Sequence, residues 1–315
     1  MPLPFLDLLA QEQAASGYHL LIDKLARTPL SHVVIVVFVL TIVRLGIFPL
    51  LTKTAPHKRG MGYGVARFLN EVLDAVIYAG VFVFLIIRPF GIQAFLIPSG
   101  SMWPTLYVND FIVANKAIYR YTDPKRNDVV VFEPPVEATY ASQRDPDGTV
   151  NVDFIKRLIG VPGDVVELRD GVLYRNGQPA EDPNRHYSDT TDEQNFTEMP
   201  EDRVKSQGWP SFKFIKWKGQ VIPLNYLDHH GGNTASNLSD NYYQVADKYV
   251  LPTAAEQMAA EAAPAVAIPQ GYYFFMGDNR NNSFDGRGWG LVKRSQIIGR
   301  AEFIWLPITR IGRIH

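Results

Sequence analysis

VDFIKRLIGVPGDVVELRDGVLYRNG, residues 152–177, is the stretch that decides the fold class. It holds three short runs, VDFIKRL (152–158), DVVELR (164–169) and GVLYRNG (171–177), set apart by Pro and Gly. Such runs are rich in residues that fit a pleated, half-buried surface, and Asn176-Gly177 is a turn signal. Working outward, the same texture recurs in FIVANKAIY (111–119) and DVVVFE (128–133), then in YYFFM (272–276) and IIGRAEFIW (297–305). Little helical period accompanies them, so a mostly-β domain is predicted. Residues 178–270 interrupt it with a polar stretch rich in Asp, Asn, Pro and Gly and one helix-like piece, TAAEQMAAEAA (253–263). Its position predicts an inserted second domain at 178–267, with the β domain at 89–177 and 268–315. The adjacent His229 and His230 lie in that polar stretch with no obvious third ligand, so no metal site is predicted.

Upstream the chemistry is different. Two long apolar runs occupy the first hundred residues: VVIVVFVLTIV (33–43), continuing to Leu51, and AVIYAGVFVFLII (75–87), extended backwards by FLNEVLD. Each approaches the roughly 20 residues that cross ~30 Å of hydrocarbon as a helix. Neither is clean, since Arg44 interrupts the first and Glu71 and Asp74 open the second. Arg44 can snorkel to an interface or face the partner helix. Two buried core helices are the alternative, but both runs are apolar nearly all round. A cleaved secretory leader fits poorly, because the first run begins some thirty residues in with no A-x-A site close behind it. The expectation is an N-terminal segment (1–30), then a transmembrane hairpin (31–88) with spans near 31–51 and 69–88 and a connecting loop at 52–68. Lys53, Lys58, Arg59 and Arg67 give residues 52–67 a charge of +4, against −1 for residues 1–30. The excess of positive charge places the loop in the cytoplasm and everything after Ile87 outside.

Composition excludes several classes. The 315 residues are 46% hydrophobic and 20% charged, which rules out a wholly disordered or collagen-like chain. A net charge of −1 provides no global basic field, so no nucleic-acid partner is expected. There is no cysteine, so thiol nucleophiles, disulfides and Cys-ligated zinc are excluded.

Three segments carry candidate chemistry. FLIPSGSMWPTL (95–106) sets Ser99 and Ser101 around Gly100, with Pro98 and Pro104 stiffening both sides. A serine on such a tight turn can present its Oγ and nearby N–H groups to a substrate. Read alone, the segment is better explained as a linker leaving the membrane, where Ser, Gly and Pro are common. A serine nucleophile needs a base, and the seven histidines are scattered without triad context. Lysine serves if burial lowers its pKa from about 10.4. Lys156 is the candidate, because alternation along a strand puts Phe154, Lys156 and Leu158 on one face. A packed stem with its head in water is the simpler reading of the same pattern. MGDNRNNSFDGRGWG (276–290) reads as an Asx-rich loop that also supplies Ser283, Asp285 and Arg287.

Together these segments resemble bacterial type I signal peptidase, the leader peptidase, in its two-span proteobacterial-like form. The motifs are PSGSMWPT (98–105), NDVVVF (127–132), DFIKRLIGVPGD (153–164) and GDNRNNSFDGR (277–287), in family order, with IIGRAEFIWLPITRIGRIH at the C-terminus. The resemblance covers about 30–177 and 268–315. It implies a curled antiparallel β-sheet serine-lysine protease core with an inserted second domain, cleaving signal peptides from exported preproteins. Ser101 corresponds to the nucleophile and Lys156 to the general base. Ser99 and the Ser101 N–H correspond to the oxyanion hole, Ser283 to a hydroxyl bonding the lysine, and Asp285 and Arg287 to a supporting pair. Phe95, Ile97, Pro98, Met102, Leu106 and Ile155 match substrate-binding positions, where shallow pockets imply small residues at the first and third positions before the cut. Strict alternation puts Ile155 on the face opposite Lys156. Trp103 departs from the aliphatic residue or methionine of many relatives without changing a role. No cofactor or metal is implied. The implied partners are preproteins, the lipid bilayer and the secretion translocon, and the implied site is the bacterial inner membrane with the catalytic domain on its periplasmic side. Two other readings compete: a self-cleaving Ser–Lys repressor-type protease, disfavoured by the two spans and the lack of a DNA-binding domain, and a non-catalytic membrane-anchored β-domain acting in assembly.

Overall fold

The structure, a computed structural model, describes residues 30–55, 60–87, 91–190, 192–193, 195–207, 209–226, 246–251 and 253–315. The chain divides into two compact units, Met1–Phe95 and Leu96–His315. In the first, a helix Leu30–Lys53 and a helix Met61–Val81 pack on each other, the second continuing through a wider π-helical stretch, Phe82–Ile87. The large apolar side chains of both face outward, including Val34, Ile35, Phe38, Leu45, Phe68 and Val76. That is the pattern of helices whose surroundings are apolar rather than aqueous. Arg44 faces its partner helix and donates to Asp74 at 3.0 Å, so two of the three charges that interrupt the apolar runs neutralise each other. Among the described residues one helix, Ser31–Lys53, is long and apolar enough to cross a membrane by length and composition. The second carries Arg67, Glu71 and Asp74 and does not meet that measure. Lys58 and Arg59, half of the positive loop charge, lie outside the described residues, as do residues 1–29 and His229 and His230.

The strands are β1 (Ile92–Leu96), β2 (Phe111–Asn115), β3 (Val129–Phe132), β4 (Phe154–Gly160), β5 (Val166–Arg169), β6 (Val172–Arg175), β7 (Gln178–Pro179), β8 (Ser211–Trp217), β9 (Gln220–Tyr226), β10 (Tyr272–Met276), β11 (Val292–Lys293), β12 (Ile297–Leu306) and β13 (Gly312–Arg313). In the second unit one antiparallel sheet runs β2–β12–β3–β4–β10–β11, with β13 also on β12. β12 serves three partners and changes register at three places along its ten residues. Such irregularities bend a strand and curl its sheet. The mostly-β, curled antiparallel expectation holds.

A second sheet runs β7–β6–β5–β8–β9. It gathers strands from both sides of residue 177: β5 lies before that position and pairs with β8 after it. The signalled turn Asn176-Gly177 has both residues at positive φ, 53° and 79°, the geometry that lets β6 turn directly into β7. The helix-like piece forms Ala254–Ala262, and its N-cap Thr253 accepts from the Glu256 N–H. Lys213 of β8 reaches its C-terminal end, donating at 2.7 Å to the carbonyls of Glu261 and Ala263.

Two cores flank the β4–β10 pair. Leu158 and Phe275 enter one with Phe132 and Trp289, while Ile159, Phe274 and Met276 enter the other with Phe212 and Phe214. Adjacent residues thus feed opposite cores, which is why YYFFM reads as a continuous apolar run rather than an alternating one.

Candidate active site

Gly100–Met102 forms a single 3₁₀ turn entered from Ser99 in extended backbone. The turn is buried, and Ser101 is only 7% exposed. Lys156 reaches it from β4, where pairing with β3 sets Lys156 opposite Val130. The Lys156 Nζ lies 2.5 Å from the Ser101 Oγ, and the Ser99 Oγ donates to the same oxygen at 3.3 Å. The expected face is present, with Leu158 in the core and Phe154 packed on it, its ring 5.8 Å from Nζ. Burial pushes the Lys156 pKa down to about 8, against the opposing pull of Asp285 and Asp278. A buried ammonium costs desolvation that its neighbours only partly return, so the neutral amine becomes accessible near neutral pH.

Asp285 and Arg287 form a buried bidentate pair, with the Arg287 Nε and Nη2 donating at 2.8 and 2.7 Å. Asp285 also accepts from the Gly277 N–H at 2.9 Å. Burial would raise its pKa, but the Arg287 charge and these hydrogen bonds win and hold it below the usual carboxylate range. Ser283 is buried nearby, yet its Oγ makes no hydrogen bond, so the expected bond to Lys156 is not formed in this structure. A Cβ on Gly277 would come 2.2 Å from the Ser283 Oγ and 2.5 Å from the Ser101 carbonyl oxygen, so the two segments meet where only glycine fits.

Of the positions expected to bind substrate, Ile97, Met102 and Leu106 are buried, Ile155 is half-buried and Pro98 is exposed. Phe95 belongs to the first unit. Ile97 spends its N–H and carbonyl on Asp110 and Asn109 at 2.9 Å each. Ile155 keeps the place that alternation gives it, opposite Val131 in the register that sets Lys156 opposite Val130.

The sequence reading left out a further set. Arg157 and Asp278 make a fully buried bidentate pair, both contacts 2.7 Å, and Thr105 donates to Asp278 at 2.6 Å. Asn279 holds the nucleophile turn directly: its N–H donates to the Ser101 carbonyl and its Nδ2 to the Gly100 carbonyl, each at 3.2 Å. Arg280 pairs with Asp182, 2.6 Å for one contact, and donates to the Gly277 carbonyl at 3.0 Å. The signal for these lay in the GDNR run itself, whose charges make sense only if each finds a buried partner. Among the described residues no His, Asp and Glu cluster could hold a metal ion.

The arrangement can deprotonate a serine hydroxyl with a neutral amine and support an oxyanion beside a second serine. Comparison with known proteins gives the family. The family described as "Signal peptidase, peptidase S26" matches residues 69–306. A signal peptidase I from Leptolyngbya laminosa is 31% identical over 228 residues, covering 72% of this chain and 75% of its own. One from Aquifex aeolicus is 31% identical over 234 residues, covering 70% and 78%. One from Haemophilus influenzae is 30% identical over 273 residues, covering 76% and 70%.

Proposed function

The chain belongs to the signal peptidase S26 family, and from that premise we propose that it is a membrane-anchored signal peptidase I working through a Ser101–Lys156 dyad. The observation that carries the reading is the 2.5 Å approach of the Lys156 Nζ to the Ser101 Oγ, with the lysine pKa depressed by burial. Neutral Lys156 takes the Ser101 proton as the Oγ attacks the carbonyl carbon of the scissile bond. The tetrahedral oxyanion is held by the Ser99 hydroxyl and the Ser101 N–H. Collapse breaks the C–N bond, and the ammonium of Lys156 returns the proton to the departing amine of the mature protein. Water then gives its proton to Lys156 and attacks the ester, releasing the signal peptide carboxylate and restoring the Ser101 hydroxyl. No group beyond these side chains is required.

The substrates are preproteins carrying signal peptides. Ile155 is half-buried and Ile97, Met102 and Leu106 are fully buried, so the apolar surface they offer would be shallow and would favour small residues at the first and third positions before the cut. An extended substrate would pair along the strand that leads to Ser101, on the side of Leu96 and Pro98, because the main-chain groups of Ile97 are taken. The helix Ser31–Lys53 serves as the anchor, with the second helix completing a hairpin around the Arg44–Asp74 pair and the catalytic unit on the periplasmic side.

The test is cleavage of a purified preprotein by the full chain in detergent. The wild type should release a shortened mature protein, and Ser101→Ala and Lys156→Arg should not, since a guanidinium stays protonated above pH 12. Processing by either variant at the wild-type rate would defeat the reading.

A further inference from the structure

The described residues of 186–199, from the polar insertion, pair as a hairpin that the chemistry above does not use. Met199 N–H donates to the Tyr187 carbonyl at 2.8 Å, Asp189 N–H donates to the Thr197 carbonyl at 2.9 Å, and Ser188 and Glu198 face each other between them. The hairpin is fastened to the GDNR run. His186 lies parallel beside Asn279; its N–H donates to the Asp278 carbonyl at 2.9 Å and its carbonyl accepts from Arg280 at 2.8 Å. Asn281 accepts from the Ser188 N–H at 2.9 Å and donates to the Ser188 carbonyl at 2.7 Å. Tyr187 stacks on Trp209 with ring centroids 4.1 Å apart and Met199 packed beside them.

This anchoring delivers the hairpin's tip to the nucleophile turn. The Phe196 ring lies so close on Gly100 that a Cβ there would sit 2.0 Å from it, and the same ring is 5.6 Å from Trp103. Trp103 in turn meets His186 edge-on at 6.2 Å. Gly100, which has no side chain of its own, is buried, while Phe196 is half-exposed. Glu193, on the same tip, is near enough to favour the charged form of Lys156. The ring therefore occupies the surface between Ser99 and Ser101, over which a chain being cut must pass.

We propose that Phe196 is a specificity-determining residue whose ring walls the substrate groove over Gly100 and limits the side chain of the first residue after the cut. The inference rests on the signal peptidase reading. Residues before the cut are served by Ile97, Met102, Leu106 and Ile155, reached from the strand preceding Ser101. Phe196 meets the turn over Gly100 together with Trp103, neither of which serves those positions, so the first residue after the cut is the one left for the ring to limit. A ring held by a hairpin clamped at its base yields little, so a large side chain there must displace packed atoms.

The experiment compares wild type, Phe196→Ala and Phe196→Trp, as full chains in detergent, on one preprotein with Ala, Leu or Trp as its first mature residue. Matching sets vary the first and third positions before the cut. Wild type should prefer Ala after the cut. Phe196→Ala should raise kcat/KM for Leu and Trp about tenfold relative to Ala, and Phe196→Trp should lower it further, with selectivity before the cut unchanged in all three. The same Leu-to-Ala ratio in all three enzymes overturns the proposal. So does an equal change on every substrate, which marks a structural role, or a change confined to positions before the cut. Failure of the wild type to cut the alanine substrate would instead sink the signal peptidase reading, so the two failures are distinct.

Discussion

Replacing Lys156 by Met should abolish turnover and yet make the protein more stable at neutral pH. Methionine keeps the unbranched shape of the lysine stem and carries no charge. The fall of the lysine pKa from 10.5 to about 8 represents about 3 kcal/mol of cost for keeping the ammonium in its buried place. Losing the hydrogen bond to Ser101 returns about 1 kcal/mol, leaving a net gain of about 2 kcal/mol at pH 7. The sign depends on pH. Because the folded-state pKa lies below the unfolded one, the native protein binds fewer protons between about pH 8 and 10.5, and wild-type stability rises with pH across that window. Below pH 8 the full cost is present; above 10.5 both states are neutral and it is gone. The advantage of Lys156→Met should therefore be largest at pH 7, shrink from pH 8 upward and end as a deficit of about 1 kcal/mol. Melting temperatures of both proteins in the same detergent from pH 6 to 11 measure this. A variant less stable than wild type at pH 7, with a difference that does not move with pH, would refute the claim that Lys156 is held against its charge. The rate carries the same signature: wild-type kcat/KM should climb tenfold per pH unit and level off near 8, with about a tenth of the lysine neutral at pH 7.

Ser99→Ala removes the side-chain hydroxyl that would hold the oxyanion, so single-turnover acylation should slow by about 10²–10³ while the pH at which the rate levels off stays put. Asp278→Ala strands the Arg157 guanidinium, which is 1% exposed, and should destabilise the protein by about 3–5 kcal/mol in denaturant titrations. Gly277→Ala forces a methyl to 2.5 Å from the Ser101 carbonyl and should cost about 10² in kcat with the fold retained, as read by turnover and circular dichroism.

Lys156 and Arg157 show what a strand pattern can and cannot reveal. Alternation assigned Lys156 to the apolar face with Phe154 and Leu158, and that face is where it lies. The same alternation sends Arg157 to the other side, which a one-sided sheet would leave in water. But β4 is buried on both faces, Leu158 feeding one core and Ile159 the other, so Arg157 must find a carboxylate. It finds Asp278, 121 residues away, through the pairing of β4 with β10. Nothing local to either residue encodes that meeting; it follows from which strands become neighbours. The second sheet escaped the sequence for the same reason: β5 and β6 read as a continuation of β4 because they follow it, whereas the pairing of β5 with β8 depends on a chain segment about forty residues on. Local chemistry fared better where it closes on itself, in the Asn176-Gly177 turn and the Thr253–Glu256 cap. The hairpin at 186–199 is the opposite case. It is polar, without periodicity, and fastened by backbone hydrogen bonds to residues 278 and 280, which any side chains could accompany, and by the Asn281 side chain, which is distant in sequence. Its sequence signals are Tyr187 and Met199, which pack with Trp209, and Phe196, a ring among Asp, Glu, Asn and Thr that is explained once a glycine is found beneath it.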